Sequence, residues 1–190
     1  MLLVMSACAN DPGESQDDSA EASDLDRRWH LSGTPLEVRL TELEYALMRA
    51  FESFGRWQAE CLALSAGIQA SGPENALLHV VRMKDRPKSV KELARLTNRE
   101  DIPNIQYGLR KLMKAGLVER EGASRTGVVY SVTEKGREVT DRYARARREL
   151  LVKLAARLED PEKGFGDATQ VLDLLSGLYD RAALTATTHR

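Results

Sequence analysis

The sequence predicts a mainly α-helical chain with one small β-hairpin. Three observations carry that expectation. Apolar residues recur at helical spacing over long stretches on either side of the middle of the chain. Ser/Thr-x-x-Glu boxes mark where several of those helices begin. One pair of short β-prone runs, Leu117–Arg120 and Val128–Val132, flanks a glycine-containing tip. Charged residues make up 30% of the 190 and aromatics 5%, as expected of helices with solvated outer faces.

In chain order, residues 1–30 are expected to form a disordered acidic leader. Their stretch "ANDPGESQDDSAEASDLDR" holds too little apolar surface to offset its ordering entropy. Residues 31–70 read as one long helix. Thr34 is its cap, Pro35 suits the first turn and Glu37 completes a capping box. Leu36, Leu40, Leu43, Leu47, Ala50, Phe54, Trp57, Cys61, Leu64 and Ile68 then step by alternating fours and threes. That 3.5-residue period is a helix–helix seam, which needs partners along its length, with a second subunit as the favoured source.

Residues 71–135 hold shorter elements. "SGPE" opens a helix bearing Leu77, Leu78, Val81 and Met83; "DRPKS" breaks it; and "SVKE" is a second capping box before "LARLTN". After a polar turn comes "DIPNIQYGLRKLMKAG", a helix with Asp101 as its expected cap, and then the hairpin. In residues 136–190, after a Thr133 cap, a long helix carries Val139, Tyr143, Ala146, Leu150, Leu154 and Leu158. "EDPEKGFGD" is expected to interrupt it. The last helix presents Val171, Leu174, Leu175, Leu178 and Tyr179 before a tail expected to fray.

The charge distribution points to a partner. Net charge is −1 overall, yet residues 80–140 carry fourteen bases and eight acids, leaving the remainder at −7. A basic middle inside an acidic chain is the footprint of a polyanion-binding module. The helix after Asp101 sharpens this. At ~100° per residue, Ile102, Ile105, Leu109, Leu112 and Met113 share one side. Asn104, Tyr107, Lys111 and Lys114 stand opposite, flanked by Pro103, Gln106, Gly108 and Arg110. No acid occurs from Ile102 to Ala115, whereas an ordinary solvated face would show Glu/Lys pairs four apart. Asn and Gln suit adenine edges, Lys and Arg suit guanine, and Tyr suits a phosphate or a thymine methyl. Gly108 fits close approach to another surface or tight internal packing.

Helix, turn, exposed basic helix, hairpin, helix is the order of a winged helix-turn-helix with long flanking dimerisation helices. Here the chain resembles the MarR family of bacterial transcriptional regulators. The resemblance rests on "SVKELARLTN", on "LRKLMKAGLVER" and on "VTEKGRE" after the hairpin, and covers roughly residues 34–185. It implies a homodimer, dimerisation helices over 31–70 and 136–190, and a DNA-binding domain over 71–135. Pro103, Asn104, Gln106, Tyr107 and Lys111 would read bases. Lys88, Ser89, Lys91, Arg99, Arg110, Lys114, Arg125 and Thr126 would meet the DNA backbone. Arg125 stands where the family carries a wing-tip arginine. The residue two before it is Ala123 in place of the common acid, which favours a phosphate contact over minor-groove insertion. The turn "TNREDIP" is about one residue longer than usual.

Each reading has a plainer rival. Ser89 would cap its helix in any case, and Arg99 and Arg110 could serve local ion pairs. Phe54, Trp57 and His79 are candidates to line a small-molecule effector pocket, against ordinary core packing. Cys61, inside the seam, is expected to be inert packing and not a redox sensor. Two cysteines make no disulfide framework, no Cys/His spacing suggests a metal, and no cofactor motif or nucleophile–base arrangement suggests an enzyme. "MLLVMSAC" lacks the basic start and full apolar core of an export signal, so the expected compartment is the cytoplasm. The function expected is therefore a sequence-specific, double-stranded-DNA-binding regulator. The alternative is a winged helix used as a protein-interaction or dimerisation module without DNA binding.

Overall fold

The computed structural model describes residues 30, 31, 33–68, 70–122 and 127–189. The expected leader, His30 apart, lies outside them, as do Arg125 and Thr126. The chain divides into two compact units, one ending at Phe54 and the other beginning at Gly55. The first unit contains the start of α1, Pro35–Ala66. Its amino end is closed as expected: the Glu37 carboxylate accepts from the backbone N–H of Thr34 (2.7 Å) and of Gly33 (2.9 Å), and Thr34 Oγ1 accepts from Glu37 N. Leu36, Leu40, Met48, Phe51 and Phe54 are all exposed in the protomer.

The second unit holds the main core. The end of α1 contributes Gln58, Cys61, Leu62 and Ser65 to the buried set. The expected seam drifts here: Leu64 is 68% exposed and Leu62 is fully buried in its stead. A strict 3.5-residue pattern rotates away from one face of a straight 3.6-residue helix. Gly67 ends the helix at φ +64, so Ile68 packs on the core from outside it.

α2, Gly72–Arg82, starts with Glu74 accepting from Ser71 N at 2.9 Å. After a 3₁₀ turn at Met83–Asp85 comes β1, Lys88–Ser89, a strand the sequence reading missed because two residues carry no alternation. α3 spans Val90–Leu96, α4 Ile102–Lys114, β2 Val118–Glu121 and β3 Val129–Val132. The strands form an antiparallel sheet in the order β1-β3-β2, with Val118 opposite Val132 and Lys88 opposite Tyr130. α5, Glu134–Arg147, continues through a π turn at Arg148–Val152 into α6, Lys153–Ala155. α7 runs from Pro161 to Thr188. "EDPEKGFGD" therefore interrupts less than expected, since a first-turn proline is tolerated and the glycines lie inside α7. The tail expected to fray is helical to Thr188.

Two helix ends explain the motifs beside them. α3 closes in a Schellman turn, with Asn98 left-handed (φ 49) and Arg99 N donating to Ala94 O. This accounts for the longer turn before α4. α4 closes the same way at Gly116 (φ 73): Leu117 N donates to Leu112 O, and both side chains are buried. "TEKG" then locks that end. Thr133 Oγ1 donates to Gly116 O and accepts from Gly136 N, while Lys135 Nζ donates to Ala115 O at 2.8 Å. A lysine there also suits the negative end of the α4 dipole.

Lys88 corrects the sequence reading. Expected at the DNA backbone, it is instead fully buried, with Nζ donating to the carbonyls of Val81 (2.9 Å), Arg86 (2.9 Å) and Met83. Burial, helped by the Arg86 charge, pushes its ammonium below the usual lysine range. Its task is to satisfy the carbonyls where α2 breaks into the turn at Lys84 (φ 61) and Asp85 (φ 45).

Two substitutions test these packing arguments. A Cβ on Gly136 would fall 2.1 Å from Leu117 O and 2.6 Å from Val132 Cγ2. Gly136→Ala should therefore lower urea-unfolding stability by about 2 kcal/mol or more, in spite of alanine's better helix propensity. Lys88→Met should also cost about 2 kcal/mol by stranding buried carbonyls, whereas exposed Lys91→Ala should stay within about 0.5 kcal/mol. A stable Lys88→Met that had merely lost DNA affinity would restore the backbone-contact role.

Candidate nucleic-acid interface

α4 is held by its apolar side. Ile105, Leu109 and Leu112 are fully or almost fully buried, and Gly108 is buried with them. A Cβ on Gly108 would meet Leu77 Cδ2 at 3.1 Å, so the glycine serves tight packing of α4 on α2. That packing leaves Pro103, Asn104, Gln106, Tyr107, Arg110, Lys111 and Lys114 exposed on the outer side. Tyr107 is 55% exposed, with the Arg110 guanidinium 6.0 Å and Lys111 Nζ 5.8 Å from its ring centre. A cleft of about 280 Å³ between the start of α2 and α4 borders Asn104 and Tyr107, with Arg99, Pro73 and Leu77 in its walls.

Lys111, expected to read bases, is drawn back toward α2. Its Nζ pairs with Glu74 Oε1, and that hydrogen bond holds the ammonium above its usual range. Glu74 thus joins the amino end of α2 to the middle of α4. Arg99 takes the local-pair alternative: Nε and Nη2 donate to the two Asp101 carboxylate oxygens at 3.0 and 3.1 Å. Asp101 holds the cap position of α4 as expected, but its carboxylate does not cap. It accepts from Arg99 and from Asn104 Nδ2 (2.9 Å), and these bonds, Arg99 first, hold it below the usual carboxylate range.

Ser89 caps α3, accepting from Glu92 N at 3.2 Å. Beside it Arg86 and Glu92 pair. Several other bases of residues 80–140 are engaged within the protein in the same way, since Arg82 pairs with Asp141 and Arg137 with Asp85. Among the described residues, Lys91 and Arg95 on α3 and Arg110 and Lys114 on α4 enter no ion pair, and all four are exposed. Arg95 stands four positions after Lys91, which puts both on one face of α3.

Of the three effector-pocket candidates, Phe54 is an exposed residue of the first unit, and Trp57 and His79 belong to the second. The His79 ring lies 4.4 Å from that of Tyr143, tilted by 59°. Burial, then the Arg82 charge, push His79 below its usual value, and burial raises the Tyr143 phenol against the opposing effects of Asn75 and Trp57. Among the described residues His79 Nε2 has no hydrogen-bond partner. The fully buried Asn75 amide approaches Tyr143 without reaching hydrogen-bonding geometry. Cys61 is buried with Sγ 4.0 Å from Tyr143 O, and burial pushes its thiol up, which suits a packing role. No group of three or more potential metal ligands occurs among the described residues. No described helix is long and apolar enough to cross a membrane.

The family described as "Winged helix DNA-binding domain" matches residues 71–136. No curated protein matches the chain. Among solved structures it is similar to a MarR family transcriptional regulator from Silicibacter pomeroyi, at 21% identity and TM-score 0.59 over 80% of this chain and 99% of that one. It is also similar to the Mycobacterium tuberculosis regulator MosR in complex with DNA, at 20% identity and TM-score 0.56 over 70% and 96%. A third is Staphylococcus aureus MarR in complex with salicylate and kanamycin, at 14% identity and TM-score 0.60 over 76% and 94%. The matched family is one of DNA-binding domains. Residues 71–136 thus match the winged helix DNA-binding domain family, in a chain with the fold seen in MarR-family transcriptional regulators.

Proposed function

We propose that the chain acts as a homodimeric, sequence-specific regulator of transcription that reads duplex DNA with the outer face of α4. The observation that carries this is the face itself: an acid-free helix, fixed from behind by buried leucines, with amide, phenol and cationic groups directed outward. Pro103, Asn104, Gln106 and Tyr107 are the proposed base-reading set. Lys91, Arg95, Arg110 and Lys114 are the proposed phosphate contacts, because their charges are not consumed within the protomer. Dimerisation is supported by α7, a 28-residue helix with one buried residue, Leu175, and exposed Phe165, Leu172, Leu174, Leu178 and Leu184. A helix that leaves so much apolar surface open calls for a cover, and a second copy supplies it. An effector-responsive form of the reading is favoured by His79 Nε2 and the Asn75 amide, buried polar groups that make no hydrogen bond among the described residues.

Gel retardation of fragments selected from the source genome tests the DNA reading. Tyr107→Ala should weaken binding to the selected site about tenfold or more while sparing non-specific DNA. Lys114→Glu should weaken both and reduce the steepness of the salt dependence by about one unit. Unaltered retention in both variants favours the protein-interaction module. In sedimentation, Leu178→Glu should convert a species of twice the chain's mass into monomer. Salicylate titrated into the protein–DNA complex probes the effector arm: release of DNA supports it and no change removes it.

A further inference from the structure

The Arg99–Asp101 pair has no capping duty, and it lies against a residue of the reading face. Asp101 occupies the cap position of α4, yet neither carboxylate oxygen bonds the helix's own amides. Both oxygens are engaged by Arg99, and Oδ2 also accepts from Asn104 Nδ2. An acid near a polyanion is unfavourable unless neutralised, and the bidentate guanidinium supplies that neutralisation.

The effect on Asn104 follows from which atoms can bond. A carboxylate only accepts, so the nitrogen of the Asn104 amide must face Asp101 and the oxygen must face away. Among the described residues nothing donates to Asn104 Oδ1, and the side chain is exposed. Nδ2 retains a second N–H that Asp101 does not use. An unrestrained asparagine would turn either end of its amide outward and pair with bases of opposite pattern. Asn104 is denied that choice.

The geometry points to Asp101, held by Arg99, as a positioning residue that locks the Asn104 amide with Oδ1 outward, so that α4 selects a base bearing a major-groove amino group. Adenine satisfies it best. Its N6 amino group donates to Oδ1 and its N7 accepts the remaining N–H, whereas cytosine offers only the amino group and guanine and thymine present only acceptors. This inference rests on the proposed reading of α4 as the base-contacting helix.

The test uses the full-length protein and a site selected from random duplexes, followed by fluorescence anisotropy. The wild-type chain should require one adenine per half-site, and replacing that adenine by purine, which lacks only the N6 amino group, should weaken binding about tenfold. Asn104→Ala should abolish the adenine-over-purine discrimination at that position alone. Asp101→Ala and the near-isosteric Asp101→Asn should both reduce it several-fold while non-specific binding holds or rises, because an acid has been removed. A merely structural Asp101 would lower all binding together, and that result overturns the inference. So does full discrimination in both Asp101 variants, or a wild-type site with no position sensitive to the amino group. A wild-type chain that selects no duplex overturns the DNA reading itself, and this inference with it.

Discussion

Burial of one side of α4 is the constraint from which the rest follows. Ile105, Leu109 and Leu112 sit in the core with Leu77, Leu93 and Val139, and Gly108 lets α4 approach α2 to a distance at which a methyl group would touch Leu77. A 13-residue helix fixed along that line has no rotational freedom left. Its remaining surface must face outward, and that surface carries Asn104, Gln106, Tyr107, Arg110 and Lys114. Each buried leucine contributes on the order of 2 kcal/mol, far more than the side-chain pairs around it. The hydrophobic contacts therefore set where α4 lies, and the polar contacts refine what it presents.

The charges divide along the same line. Residues 80–140 carry a surplus of six positive charges, but many of the cations face their own protein. Arg82, Arg86, Arg99, Lys111 and Arg137 pair with carboxylates, Lys88 satisfies carbonyls where α2 ends, and Lys135 caps the end of α4. Those at Lys91, Arg95, Arg110 and Lys114 enter no ion pair among the described residues. A local count of charge thus detects a polyanion-binding region without saying which side chains do the binding.

This difference also shows what was legible in the sequence. The helices, the hairpin to within a residue and the outward face of α4 were readable, because periodicity and caps are local signals. Lys88 was misread because "RPKSVKE" looks like an ordinary helix entrance; its burial depends on the carbonyls of Val81 and Met83, earlier in the chain and folded back over it. Lys111 shares the outer arc of α4 on a helical wheel, yet Glu74, thirty-seven positions away, claims its ammonium. Asp101 was placed at the right cap position and given the wrong task, since its carboxylate bonds Arg99 and Asn104. β1 escaped detection because its only signal is pairing with β3. For Lys88, Lys111 and β1 the deciding partner lay outside the window from which the residue was read, whereas the partners of Asp101 are two and three positions away and only the folded geometry shows that it bonds them.

The anchors on α4 also limit how it can move. Its carboxyl end is held by Gly116, Thr133 and Lys135, its middle by Glu74 and Leu77, and the turn before it by the Schellman closure at Asn98. Bending α4 would break several of these contacts at once, for a gain that no single external contact could match. Carrying α4 and α2 together breaks none of the contacts between them. A displacement of α4 is therefore met most cheaply by rigid movement of the α2–α4 body, with the groups on the α4 face keeping their mutual geometry.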